Sequence, residues 1–187
     1  RRQRQMCIRD SYDIDGVNAT YILLEGLERL GADVDSDIPD RISDGYGLNR
    51  HLVERAYEAG VDTLITCDNG IAAADEIAYG KEMGMTVIVT DHHEVPFDEQ
   101  DGEKRYRIPP ADAVMDPKQP DCLYPFKGLC GAAVAYKLME ALWESMGMDS
   151  ADLDDLIENV AIATIGDVMD LEDENRIFVK EGLQMLR

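Results

Sequence analysis

The stretch Val87-Ile88-Val89-Thr90-Asp91-His92-His93-Glu94 passes in one step from β-branched apolar residues to an acid and two adjacent imidazoles. A short apolar run bounded in this way reads as a strand buried on both faces, as in a parallel sheet. Its carboxyl end then delivers Asp91, His92 and His93 to one place. The chain has three histidines, His51, His92 and His93, and two of them stand side by side at this strand exit. That placement fits a metal site, with solvated loop histidines as the alternative.

The same pattern recurs upstream. Val61-Asp62-Thr63-Leu64-Ile65-Thr66-Cys67-Asp68-Asn69-Gly70 is again an apolar run, an acid and a glycine, followed by a predicted helix over 72–83. Tyr12-Asp13-Ile14-Asp15-Gly16 reads as a strand end and an acidic turn ahead of an amphipathic helix, with Ile22, Leu23, Leu27 and Leu30 inward. Between them lie a predicted strand over 32–39 and a glycine-bearing loop over 40–49. That loop's Arg41 and Tyr46 suit a phosphate and a base; a helix then runs through 59.

Downstream, residues 97–107 form a polar, charged surface insertion with no assigned structure, and 111–116 read as another strand. A helix over 128–146 starts with Gly128 and Gly131, which allow either a phosphate at the helix start or close packing. A helix over 151–165 carries Asp167 at its buried end. A last helix from 174 shows no C-cap signal, so the chain is read as truncated there. Strand-to-helix units with acids at each strand's carboxyl end describe an α/β fold, an open, mostly parallel sheet flanked by helices. Buried unpaired carboxylates are costly, so a cluster of them implies bound cations. Oxygen ligands suit Mg2+ or Mn2+, and added histidine shifts the choice toward Mn2+.

The 187 residues, 45% hydrophobic, are enough for one sizeable core. No apolar run approaches the ~20 residues of a membrane span, and no secretory segment is present, so the reading is a soluble cytoplasmic protein without a membrane partner. Cys7, Cys67, Cys122 and Cys130 form no Cys-x-x-Cys pair and are expected to be reduced and mostly buried. The net charge of −21, from 18 basic and 39 acidic side chains, repels phosphate backbones unless acids hold cations or basic modules lie elsewhere in the protein. Residues 1–11 depart from this balance. Four arginines and one aspartate make them net +3, leaving −24 on the remainder. They resemble the translation of a transposase-type sequencing adapter, so native sequence is expected to span 12–187. Met6-Cys7-Ile8 is then only a strand stub, followed by an Arg9 whose burial without a partner is costly.

Together these residues resemble the DHH phosphoesterase superfamily, and within it the RecJ type of single-strand-specific 5′ to 3′ exonuclease. Four motifs match in order: Asp13-Ile14-Asp15-Gly16, Asp68 in Thr66-Cys67-Asp68-Asn69-Gly70, Asp91-His92-His93, and Asp167 in Gly166-Asp167-Val168. Ile38-Pro39-Asp40-Arg41, Gly45-Tyr46-Gly47-Leu48-Asn49, Asp116-Pro117-Lys118 and Tyr124-Pro125-Phe126 favour the RecJ type. The glycine and aspartate that usually precede the first motif are replaced by Asp10 and Ser11.

The resemblance implies that Asp13, Asp15, Asp68, His92 and Asp167 hold two divalent cations, Mn2+ or Mg2+, with Asp68 bridging. It implies that His93 contacts the scissile phosphate, that Asp91 orients an imidazole, and that Arg41, Tyr46 and Asn49 bind substrate. Further implications are hydrolysis of single-stranded DNA from its 5′ end in repair and recombination, and a single-strand-binding protein or helicase as partner. Other members of the superfamily stand as alternatives: nano-RNA or cyclic-dinucleotide phosphodiesterases, family II pyrophosphatases, and non-catalytic Cdc45-like replication scaffolds.

Overall fold

The computed structural model of the protein describes residues 5–9, 13–37 and 47–187. In chain order the elements are β1 (Gln5–Arg9), α1 (Ile14–Arg29), β2 (Asp33–Asp37), α2 (Arg50–Glu58), β3 (Thr63–Cys67), α3 (Ala74–Glu82) and β4 (Thr86–Thr90). A hairpin of β5 (Phe97–Gln100) and β6 (Glu103–Tyr106) follows. Then come β7 (Ala113–Met115), α4 (Gly131–Ser145), a 3₁₀ helix (Ser150–Leu156), α5 (Ile157–Gly166) and α6 (Asp173–Met185).

The main sheet has five strands in the order β2-β1-β3-β4-β7, all paired in parallel. From β1 the chain winds outward to β2 and then returns past β1 to β3 on its other side. The winding direction therefore reverses between β1 and β3, and a crevice opens outside their carboxyl ends. Side chains along each strand alternate between two layers. Ile8, Ile65 and Ile88 pack with α1, α4 and α5, whereas Cys7, Leu64, Val87 and Val89 pack with α2 and α3. This two-sided burial is why these strands read as unbroken apolar runs. Cys7, Cys67 and Cys130 are buried and Cys122 is half-buried, all as free thiols.

Several local expectations are corrected. α1 begins at Ile14, with Asp13 as its N-cap, so Asp15 lies in the helix's first turn rather than on a turn ahead of it. Residues 150–166 are not one helix: a 3₁₀ segment precedes α5. Leu153 and Leu156 are both buried, and their three-residue spacing aligns them on a 3₁₀ helix. The insertion at 97–107 is an antiparallel hairpin with every strand residue exposed.

The expected stub at Met6-Cys7-Ile8 is a full strand, hydrogen-bonded on both sides. Arg9 is 3% exposed, but it is not alone. Its guanidinium pairs with Asp37 at the end of β2 and donates to the Leu52 carbonyl at 3.3 Å. The partner was hidden because Asp37 is 28 positions away, in a neighbouring strand.

The layer of α5 and α6 packs closely at Gly182, where an added Cβ would lie 2.5 Å from Ala161 Cβ and 2.8 Å from the Ile157 carbonyl oxygen. Backbone cannot yield as a flexible side chain does. Gly182→Ala should therefore destabilise the fold by about 1–3 kcal/mol. Denaturant unfolding checks this, and an unchanged midpoint would refute the close contact.

Candidate metal centre

The crevice is lined by acids that the strands release in turn. β3 ends at Cys67, and Asp68 follows with φ 55°, a left-handed conformation that aspartate tolerates better than most residues. A tight turn holds it there: the Thr66 hydroxyl donates to the Asn69 carbonyl at 2.8 Å, and Asn69 Nδ2 donates to the Cys67 carbonyl at 2.9 Å. Gly70 completes the turn at φ 111°. The Asp68 carboxyl is thereby turned inward and is 1% exposed.

Asp15 reaches the same point from α1. Its Oδ2 accepts from Gly131 N at 2.6 Å and its Oδ1 from Ala132 N at 2.8 Å. These are the first N–H groups of α4, whose N-cap Cys130 supplies no side-chain acceptor. Of the two readings of this helix start, a phosphate seat or close packing, the structure gives close packing: Asp15 meets both its free N–H groups and its positive dipole end. Gly131 is required for this approach, since a Cβ there would lie 2.8 Å from Asp68 Oδ1 and 3.1 Å from Asp15 Oδ2.

His92, buried after β4, aims Nε2 at the acids: 3.0 Å from Asp68, 3.5 Å from Asp15 and 3.8 Å from Asp167. Asp167 is the C-cap of α5 and is half-buried rather than enclosed. Asp91 faces the other way and organises the loop. Its Oδ2 accepts from Ile71 N at 2.9 Å, and its Oδ1 takes His92 N at 2.7 Å and His93 Nδ1 at 2.7 Å. The His93 ring is held by that bond, leaving Nε2 as its second nitrogen.

Electrostatics follow from this packing. Burial first, and the Asp68 charge second, push Asp15 up to about 7, against the pull of the Ala132 and Gly131 N–H groups. Asp167 is also raised, by burial and then by Asp68 and Asp13, with His92 opposing. Burial would lower His92, but the Asp68 hydrogen bond and the Asp15 and Asp68 charges outweigh it and raise the imidazole. The hydrogen bond to Asp91 carries His93 up to about 9. Burial would raise Asp91 too, but the His93 contacts and the Ile71 N–H hold it below the usual carboxylate value.

Such a site favours a cation that replaces protons. Ligand atoms of Asp15, His92 and Asp167 all lie within 4.8 Å of one another, as do those of Asp68, His92 and His93. Carboxylate oxygens with imidazole nitrogen suit Mn2+ or Mg2+, so these residues fit divalent ions. His92 is common to the two groups.

The other expected site residues fall less centrally. Asp13 is exposed, and its Oδ1 accepts from Gly16 N at 2.9 Å to cap α1. Asn49 caps α2 by accepting from Leu52 N at 3.0 Å through Oδ1. Arg41 and Tyr46, like Asp10 and Ser11, lie outside the described residues.

Sequence reasoning gave no site role to Asp116, which leaves β7 as Asp68 leaves β3. It is 2% exposed, its Oδ2 has no hydrogen-bond partner, and burial pushes it up to about 6. The rule that picked out Asp68 and Asp91, an acid closing an apolar run, also finds it. Asn69, buried beside Asp68, could have been flagged only from the turn it closes.

Stability should depend on pH with a definite sign. Asp15 is raised from 3.8 to about 7 and His93 from 6.5 to about 9, so the folded chain holds both protons more tightly than the unfolded chain. Their stabilisation is complete below the unfolded values and is lost as pH rises through the folded ones. The metal-free protein should therefore melt at lower temperature at pH ~9 than at pH ~6. Saturating Mn2+ should flatten the Asp15 part of the slope. Thermal melts across that range check it, and a melting temperature that rises with pH would contradict the burial of Asp15.

Comparison with known proteins agrees with this fold. The chain is 42% identical over 186 residues to the single-stranded-DNA-specific exonuclease RecJ of Bacillus subtilis (strain 168), covering 100% of this chain and 22% of that protein. It is 38% identical over 193 residues to the RecJ of Haemophilus influenzae, covering 99% of this chain and 32% of that protein. The chain thus spans a third or less of the length of these curated relatives. A manganese-bound crystal structure of exonuclease RecJ superposes with a TM-score of 0.83 at 36% identity, over 97% of this chain and 43% of that one. The Mn2+ complex of RecJ from Thermus thermophilus gives 0.77 at 34% identity, over 97% of this chain and 24% of that one. The family model described as "DHH family, N-terminal domain" matches residues 5–164, so the chain belongs to the DHH family.

Proposed function

We propose that this domain carries the metal centre of a phosphodiester hydrolase, a single-stranded-DNA exonuclease working in the 5′ to 3′ direction in DNA repair and recombination. The observation that carries the reading is the meeting of Asp15, Asp68, His92 and Asp167 at the sheet's reversal point, beside a His93 held by Asp91. The names of the relatives and the manganese-bound RecJ structures support it.

Asp15, Asp68, His92 and Asp167 would hold two divalent ions, with Asp13 at the rim of the site. Bound there, such ions would supply polarisation of the phosphodiester and activation of the attacking water. Asp91 fixes the His93 ring, so that Nε2 meets a phosphate oxygen without a search through rotamers. No side-chain nucleophile is needed. Arg41, with Tyr46, takes substrate from its loop, and the same reading gives the enzyme a cytoplasmic site of action with a single-strand-binding protein or helicase as partner. Among the described residues no helix is long and apolar enough to cross a membrane. The net charge of −21 on this chain opposes a phosphate backbone, so bound cations and local basic side chains have to carry the contact with DNA.

A second reading is a non-catalytic replication scaffold. CDC45 from Entamoeba histolytica superposes with a TM-score of 0.55 at 13% identity, which shows a common fold alone. The intact set of acids and histidines favours catalysis.

The test is cleavage of 5′-phosphorylated single strands by the complete native protein in Mn2+, in Mg2+ and with chelator. Asp68→Ala should lower the rate by several orders of magnitude, because both ions lose a ligand. Activity that survived the substitution or the chelator would rule the two-metal reading out.

A further inference from the structure

The β5–β6 hairpin takes no part in either core, and all eight of its strand residues are exposed. An isolated two-stranded hairpin gains little stability of its own, yet this one places aromatic rings and cations together. Phe97 and Tyr106 are directly cross-strand, with ring centroids 5.8 Å apart, and both are more than two-fifths exposed. Lys104 Nζ lies 4.2 Å from the centre of the Phe97 ring. Lys104, Arg105 and Arg107 put three of the chain's 18 basic side chains within four positions.

The hairpin is also joined to the metal centre. A cavity of about 340 Å³ opens beside His93 and Asp91, with Ile71, Ala72 and Glu76 in its wall. The same three residues line a smaller cavity of about 100 Å³ whose far side is Pro96 and Arg107 at the hairpin's base. The two cavities thus share a wall at Ile71, Ala72 and Glu76, which sets the hairpin's base beside the metal centre.

We propose that this hairpin is a contact for the single-stranded DNA that occupies the metal centre, its Phe97 and Tyr106 face stacking a base while Lys104, Arg105 and Arg107 meet phosphates. Stacking is indifferent to base identity because every base offers a π face. The hairpin has four acids of its own, Asp98, Glu99, Asp101 and Glu103, with Glu99 directly across from Lys104, so the stacked base rather than net charge carries the contact. Asp98 pairs with Arg107 at 3.6 Å with both groups more than half exposed, a weak solvated pair that a phosphate can displace. Asp75 and Glu76 line the smaller cavity, so that cavity takes sugar and base while the phosphates lie toward the cations. The proposal rests on the nuclease reading for the strand's identity.

The test uses the complete native protein, with binding measured by fluorescence anisotropy on a labelled single strand in chelator and cleavage measured in Mn2+. Phe97→Ala/Tyr106→Ala should weaken binding about tenfold and raise KM on long strands by a similar factor, with kcat and cleavage of a dinucleotide unchanged. Lys104→Ala/Arg105→Ala/Arg107→Ala should reduce the slope of log affinity against log salt by about 2, from about 0.7 for each phosphate no longer neutralised. Phe97→Tyr/Tyr106→Phe keeps both rings and should bind like the native protein, which separates stacking from a folding defect. Equal affinity and equal salt slope in the first two variants would overturn the hairpin contact. A native protein that binds the strand but does not cut it in Mn2+ would overturn the nuclease reading, while the anisotropy series still decides the hairpin.

Discussion

The Asp15 carboxylate, received by the Gly131 and Ala132 N–H groups at the start of α4, ties the site to the fold. α1 brings the acid from the end of β1, and α4 arrives more than a hundred residues later to meet it. Both helices pack over the same face of the sheet, so their register sets where the carboxylate points. A carboxylate buried to 1% exposure is costly in water-free surroundings. Two charge-assisted hydrogen bonds and a helix dipole lower that cost, and the neighbouring Asp68 raises it again. The outcome is a group poised between a proton and a cation.

The sheet topology explains why these acids converge. In a doubly wound sheet, helices cover both faces of the strands, and the carboxyl edge at the reversal point stays open. Asp13 and Asp15 follow β1, Asp68 follows β3, Asp91 to His93 follow β4, and Asp116 follows β7. Asp91 contributes by fixing the loop, because its carboxylate collects N–H donors from Ile71, His92 and His93. The clustered acid and the loop-holding acid are therefore different residues with opposite pKa shifts: Asp15 is raised by burial beside another acid, and Asp91 is lowered by donors.

Much of this was legible in the residues themselves. Apolar runs ended by acids located β3 and β4, and their two-sided burial follows from the absence of polar alternation. The parallel sheet, the acid positions and the likeness to the DHH family needed nothing more. Those signals are local, since a strand's burial and its terminating residue lie within about ten positions of each other.

Tertiary structure decided what depended on distant partners. Met6-Cys7-Ile8 reads as a stub followed by a stranded Arg9, whereas β1 is paired on both sides by β2 and β3 and Arg9 meets Asp37 at the end of β2. Gly131 read equally well as a phosphate seat or a packing contact, and only the arrival of Asp15 chose between them. Asn49 and Asp13 each give one side-chain oxygen to a helix N-terminus, Asn49 capping α2 and Asp13 capping α1. In each case the sequence determined which chemical group stood at the position. Which neighbour claimed its hydrogen bonds was decided by the packing of elements far apart in the chain, where local pattern carries no information.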